Sequence, residues 1–277
     1  MGAFRTLYYI RVIKPITMTK FLPSFFILLL VACTNPQESK NEYTQLFNGK
    51  DLTGWTPKLA GFKAGENYKN TFRVEDGLLK VSYAEYDSFR GEFGHLFYKD
   101  VFSNYRLRIE YRFSKERTMG APDWAFANSG VMFHSQSAES MAVDQEFPVS
   151  LEAQFLGSEE GNIRTNMNLC TPGTHVTMAD TLTTIHCIDS NSKPNMLGEW
   201  VTVELIVYGD SIIHHLVNND TVLTYSKPII GGAFLPKADS AKTGMPVKDG
   251  YISLQAEGHA LDFRKIEYLE LKRKGNR

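Results

Sequence analysis

Tyr105-Arg106-Leu107-Arg108-Ile109-Glu110-Tyr111-Arg112-Phe113 alternates large apolar and charged residues without a break. Successive side chains of an extended strand point to opposite faces, so the aromatic and aliphatic side chains share one face while Arg106, Arg108, Glu110 and Arg112 share the other. One face belongs to a core and the other to water. Working outward, period-two or β-branched runs recur at 71–74, 78–82, 130–134, 151–156, 200–208, 211–217, 221–225, 251–256 and 262–271. Glu75-Asp76-Gly77 and Tyr208-Gly209-Asp210 suit hairpin turns, and Asn218-Asn219-Asp220 supplies residues that tolerate left-handed backbone. Helical periodicity is nearly absent. The strands read as a meander, and the expected fold class is all-β, an antiparallel β-sandwich.

The 277 residues are 43% hydrophobic and 22% charged with a formal net charge of −1, the balance of a folded domain without the basic footprint of a nucleic-acid binder. Arg11, Lys14 and Lys20 precede an apolar run at 21–31 broken only by Pro23 and Ser24. Spanning a bilayer takes roughly 20 apolar residues, so this run fits the core of an export signal instead, best proportioned if translation starts at Met18. It ends in Leu30-Val31-Ala32-Cys33, which resembles the lipid-attachment box of bacterial lipoproteins. The expectation is a signal peptide over 1–33 with Cys33 lipidated, a polar tether over 34–43 and a single domain over 44–277. That domain would be extracytoplasmic, on the periplasmic or outer-membrane face of a Gram-negative bacterium, touching the membrane through its lipid alone. A plain secretory signal with an incidental cysteine is the competing reading. Cys170 and Cys187 are expected to form a disulfide, worth roughly 3 kcal/mol for a loop of about 16 residues; two buried thiols are the alternative.

The polar faces of three strands carry the functional argument. In 151–156, Leu151, Ala153 and Phe155 point to the core, which leaves Glu152 and Gln154 side by side on the opposite face. Met132 shares a face with His134, and Ser253 and Gln255 share one with Glu257. These strands sit within an ordered series of motifs: Leu46-Phe47-Asn48-Gly49-Lys50-Asp51-Leu52-Thr53-Gly54-Trp55, Val74-Glu75-Asp76-Gly77, Asn128-Ser129-Gly130-Val131, Leu151-Glu152-Ala153-Gln154, Gly198-Glu199-Trp200, Ser253-Leu254-Gln255 and Asp262-Phe263-Arg264-Lys265-Ile266. In order and spacing, over nearly all of 44–272, the series resembles the 3-keto-disaccharide hydrolase family, whose fold is a concanavalin A-like jelly roll. The chain departs from the common pattern at Glu152-Ala153-Gln154, where an aliphatic residue usually lies between the Glu and Gln, and at Lys265, usually Asn. The segment 166–186, around the cysteine pair, has less counterpart in the family.

The resemblance implies an enzyme that cleaves sugars already oxidised to a ketone at C3. The ketone acidifies the C2 hydrogen, so one carboxylate can remove it while the C1 substituent leaves by β-elimination, with or without later addition of water. Glu152 is the expected base. Gln154 would orient substrate hydroxyls. His134 would protonate the leaving oxygen, stabilise the enolate or bind a metal, or else serve only the fold. Asn128, Arg164, Asn168, His175, His186, Gln255, Glu257 and His259 are candidate substrate contacts, and Trp124, in the loop 120–124, is the aromatic best placed to stack on a sugar. Trp55 and Trp200 read as core. No local spacing resembles a zinc motif, so a divalent ion stays open as a cofactor without named ligands, as does the oligomeric state. A lectin-like carbohydrate-binding lipoprotein without catalysis is the alternative function, since the same architecture hosts both.

Overall fold

A computed structural model describes residues 42–272, and Gly2, Tyr9 and Arg11 besides. Cys33 and the apolar run of the expected export signal lie outside the described residues, as does the tether up to residue 41. Tyr43, placed in that tether by the sequence, is instead tied to the domain: Arg108 lies over its ring at 4.2 Å and donates to its hydroxyl at 3.0 Å.

Among the described residues the strands are β1 (Thr44–Gln45), β2 (Trp55–Leu59), β3 (Phe72–Glu75), β4 (Leu78–Val81), β5 (Gly94–Phe102), β6 (Asn104–Phe113), β7 (Asn128–Ser135), β8 (Leu151–Leu156), β9 (Asn168–Cys170), β10 (Thr174–Met178), β11 (Thr181–Thr183), β12 (Cys187–Ile188), β13 (Val201–Tyr208), β14 (Ile212–Val217), β15 (Asp220–Ile230), β16 (Gly250–Ala256) and β17 (Leu261–Glu270). They form two antiparallel sheets. The larger runs β11-β10-β15-β14-β13-β6-β17-β4-β3, with β1 also on β17, and the smaller runs β12-β9-β8-β7-β16-β5-β2. The sandwich is as expected, but the connectivity is no meander. The chain passes between the sheets repeatedly, among other places between β6 and β7 and between β15 and β16, and β6 lies between β13 and β17, and β16 between β7 and β5.

The alternation of β6 is realised residue by residue, with Tyr105, Leu107, Ile109, Tyr111 and Phe113 all buried. Tyr111 stacks on Phe155 of the opposing sheet at 4.3 Å between ring centroids, which fixes the two layers face to face. The outer face of the larger sheet is a lattice of cross-strand ion pairs: Arg106 with Glu204, Arg108 with Glu267 at 3.0 Å, Arg112 with Asp262 at 2.9 Å, and Arg264 and Lys265 with Glu110 at 2.6 and 3.1 Å. Trp55 is a core residue and donates its indole N–H to the Leu46 carbonyl at 3.0 Å. Trp200 is not. It is half-buried on the outer face between the guanidinium groups of Arg112 and Arg264, at 4.7 and 4.4 Å from its ring, because Val201, Val203, Leu205 and Val207 take the inward face and leave the preceding residue on the other.

The middle strands of the smaller sheet are buried on both faces; β7 has no exposed residue at all. Its second face carries polar side chains in register. One row across the strands places Lys58, His95 and Gln255 side by side, then Gly130, Gln154 and Asn168. The next row carries Phe97, Ser253, Met132, Glu152, Cys170 and Cys187. Burying such a face demands either hydrogen-bond partners or a function.

Candidate functional site

Over this face lies a cavity of about 320 Å³ lined by Glu152, Glu257, Asn128, Gln154 and His186, among others. Its floor depends on Gly130. The Glu152 side chain leaves β8 and leans over β7 at the one position without a side chain: a Cβ on Gly130 would lie 2.7 Å from the Glu152 Oε1. Both Glu152 and Glu257 are 5% exposed, and Oε1 of the first and Oε2 of the second have no hydrogen-bond partner in the protein. Burial therefore raises the Glu152 carboxyl above the usual carboxylate range. Glu257 is raised well above that range, first by burial and then by the charge of Glu152 beside it. The two carboxyls repel each other, so the pair loses its protons in two separate steps, and the group that ionises first can act as a base while its partner still has a proton to give.

An amide chain flanks the pair. Gln154 donates to the Asn128 side-chain oxygen at 3.2 Å, and Asn168 donates to the Gln154 oxygen at 3.4 Å. Asn168 is itself held from behind, accepting from the Ser190 N–H and the Thr165 hydroxyl at 2.9 Å each, so it supports Gln154 without lining the cavity. The disulfide expected from the sequence is present between Cys170 and Cys187, which face each other across β9 and β12, and it forms part of the wall. It also brings in His186, whose carbonyl accepts from the Thr171 N–H at 2.9 Å and whose ring pKa is lowered by burial. An arc of aromatic rings completes the rim: Trp124 stacks on Phe93 at 5.5 Å, Phe93 meets Phe147 at 5.5 Å, Phe147 meets Phe234 at 5.4 Å and Phe234 meets His186 at 5.0 Å. Trp124 is 54% exposed, so its free face is open to a ligand.

Of the residues expected at the site, the structure gathers Glu152, Gln154, Asn128, His186, Glu257 and Trp124. Gln255 lies beside them in the floor, wholly buried. His134 is elsewhere. Regular pairing of β7 with β8 ends at Phe133 opposite Leu151, and His134 takes a left-handed φ of 47°, so period two no longer sets its direction. Its Nε2 lies 3.0 Å from the Gly209 carbonyl, and it lines a second cavity of about 390 Å³ with Asp249 and Tyr251. Arg164 spends its guanidinium on backbone, donating to the Gly157 carbonyl at 3.0 Å and the Phe126 carbonyl at 2.9 Å. His259 is packed against Phe113 and Phe126, with Nε2 3.0 Å from the Ser114 carbonyl. His175 lies against Gly231 and Gly232, where a Cβ would come within 2.8 and 2.5 Å of its ring. It buttresses the strand end that leads to Phe234 rather than entering the cavity. Phe93, Phe147, Phe234 and Glu146 were not legible as site residues, because they come from three separate loops with no shared spacing. Among the described residues no three His, Cys, Asp or Glu side chains converge to hold a metal ion, so the divalent ion left open by the sequence gains no ligand set there.

Residues 42–268 match the model of the 3-keto-alpha-glucoside-1,2-lyase-like domain. A 3-keto-disaccharide hydrolase of Bacteroides thetaiotaomicron is 24% identical over 188 residues, covering 66% of this chain, and the chain spans 58% of the length of that relative. A candidate glycosyl hydrolase from Parabacteroides distasonis superposes with a TM-score of 0.51 at 19% identity, over 84% of this chain and 95% of its own. A Bacillus subtilis protein of unknown function with a galectin-like fold superposes with a TM-score of 0.50 at 13% identity, over 83% of this chain and 98% of its own. These two solved structures share the fold.

Proposed function

This chain belongs to the family of 3-keto-alpha-glucoside-1,2-lyase-like domains, and from that premise we propose that it cleaves 3-keto-glycosides, with Glu152 as the base at C2 and Glu257 as the acid at the leaving oxygen. The observation that carries this reading is the pair of buried carboxyls with unpartnered oxygens in one cavity, since a purely binding site gains nothing from such a pair. Glu152, ionised, removes the C2 hydrogen, and the electrons of that bond move to form the enolate of the C3 ketone. The C1–O bond then breaks towards the departing oxygen, which takes the Glu257 proton, leaving a 1,2-unsaturated 3-ketone and an alcohol. In hydrolysis water adds its oxygen to C1 and gives a proton to Glu257, while C2 recovers a proton from Glu152. Neither stage changes the oxidation level of the system as a whole. Asn128 and Gln154 orient the ring hydroxyls, and Trp124 stacks on a sugar face.

The test is incubation of the domain with methyl 3-keto-glucosides, with and without a chelator, following substrate by mass spectrometry. Turnover is expected, and Glu152→Gln should lower kcat by at least about a hundredfold while leaving KM near its original value. Binding without turnover would instead support the lectin-like reading. We also propose the lipid anchor at Cys33. Cys33→Ser should release the protein from membranes, because a buried lipid contributes about 0.8 kcal/mol per methylene, and unchanged membrane association would refute it.

A further inference from the structure

His95 is the least explained side chain in the domain. It is wholly buried, and neither of its ring nitrogens has a hydrogen-bond partner in the protein. Its strand neighbour Gln255 is also wholly buried with both amide atoms unpartnered, and so is the Ser253 hydroxyl one row along. Buried polar groups are almost always satisfied, and three adjacent ones left without protein partners call for a partner that the protein itself does not supply. The row is directed. From His95 it passes to Gln255 and then to Gly130, the position over which the Glu152 carboxyl leans. At about 4.8 Å per strand, His95 stands roughly 10 Å from that position, the length of a short file of water.

The outer end of the row is closed. Lys58, opposite His95 on β2, is 1% exposed and donates to the Leu59 carbonyl at 2.9 Å and the Val143 carbonyl at 3.1 Å. Burial and this ammonium hold the His95 ring down to about 3, so it stays neutral at any working pH. A neutral imidazole offers one N–H and one lone pair, which lets it order water as donor and acceptor at once. Phe147, one of the rings of the cavity rim, lies 6.1 Å from the His95 ring.

We propose that His95, Ser253 and Gln255 hold a buried file of water beneath the substrate, and that this file delivers the molecule that adds to C1 after elimination. His95 is thus a positioning residue that decides whether the unsaturated ketone is hydrated or released. The inference rests on the proposed reaction. The delivered molecule gives its oxygen to C1 and a proton to Glu257, as above, and the file refills from the cavity.

The experiment compares wild type, His95→Leu and His95→Asn on a methyl 3-keto-glucoside, measuring the ratio of unsaturated ketone to hydrated sugar and, separately, proton exchange at C2. In His95→Leu the ratio is expected to rise about tenfold or more with C2 exchange unchanged, and His95→Asn, which keeps a donor and an acceptor, should restore part of the hydration. Both products falling together, or an unchanged ratio in a folded variant, would overturn the proposal, as would a wild type that releases only the unsaturated ketone. A wild type that cleaves no 3-keto-glycoside refutes the proposed reaction and the delivery step with it. The water file is then judged by a high-resolution crystal structure. Ordered water bonded to His95 and Gln255 supports it, and its absence overturns it.

Discussion

Gly130→Ala isolates the position of the Glu152 carboxyl from its chemistry. The added methyl would meet Oε1 at 2.7 Å, the Glu152 Cγ at 3.0 Å and the Ala153 carbonyl at 3.0 Å. A relaxed carbon–oxygen contact is about 3.3 Å or more, so the carboxylate must retreat by at least about 0.6 Å, and the cavity above gives it room. Misplacing a catalytic group by about 1 Å costs on the order of a hundredfold. kcat on a methyl 3-keto-glucoside is therefore expected to fall between about tenfold and a hundredfold. Gly130 has no left-handed backbone requirement, so the stability loss should stay within the roughly 1–3 kcal/mol of an overpacked site, read from thermal melts. Adding the substitution to Glu152→Gln should cost little further activity, because both act through one group. Full activity in Gly130→Ala, or an additive double variant, would refute the argument that this carboxyl acts from its place over Gly130.

Replacing both Cys170 and Cys187 by Ser should lower stability by roughly 3 kcal/mol in chemical denaturation, and should raise KM more than it lowers kcat, because the disulfide is part of the cavity wall. His215, wholly buried between the Met167 carbonyl at 2.9 Å and the Tyr225 hydroxyl at 2.8 Å, has its pKa lowered to about 4 by burial. Its contribution is complete above the unfolded value of about 6.5, drains away as pH falls towards 4 and amounts to on the order of 3 kcal/mol. Denaturation of His215→Gln between pH 7 and 4 should accordingly show a shallower slope than wild type, and equal slopes would count against it. Trp124→Ala should raise KM several-fold with kcat nearly kept, since an exposed aromatic that stacks on a ligand contributes about 1 kcal/mol.

The sequence reads best where one face meets water. β6 alternates because its outer face is an ion-pair lattice, and β8 coincides with the expected 151–156 because its apolar residues alternate with Glu152 and Gln154. β2, β5 and β9 were not among the expected strands: β2 carries Pro57 at its centre, β5 turns from buried to exposed along its length, and β9 is only three residues long. The topology was hidden for another reason: pairing follows the crossings between sheets, which no local pattern records. The Glu152–Gln154 pair was legible, but its partner Glu257 stood among several strand-end candidates until the fold brought the two together. His134 was misread because a single left-handed residue ends the alternation that pointed it at the site. His95 gave no signal, for a histidine in a strand looks the same whether or not its neighbours satisfy it.

The central claim, that Glu152 removes the proton at C2, is tested most directly without any leaving group. 3-Keto-1,5-anhydroglucitol carries the ketone and the C2 hydrogen but no aglycone, so in deuterium oxide NMR sees only exchange at the carbons beside the ketone. Wild type is expected to accelerate exchange at C2 and not at C4, and Glu152→Gln to lose that acceleration by at least about a hundredfold. Exchange no faster than in buffer, or equal in the two proteins, would contradict the assignment of Glu152 as the base.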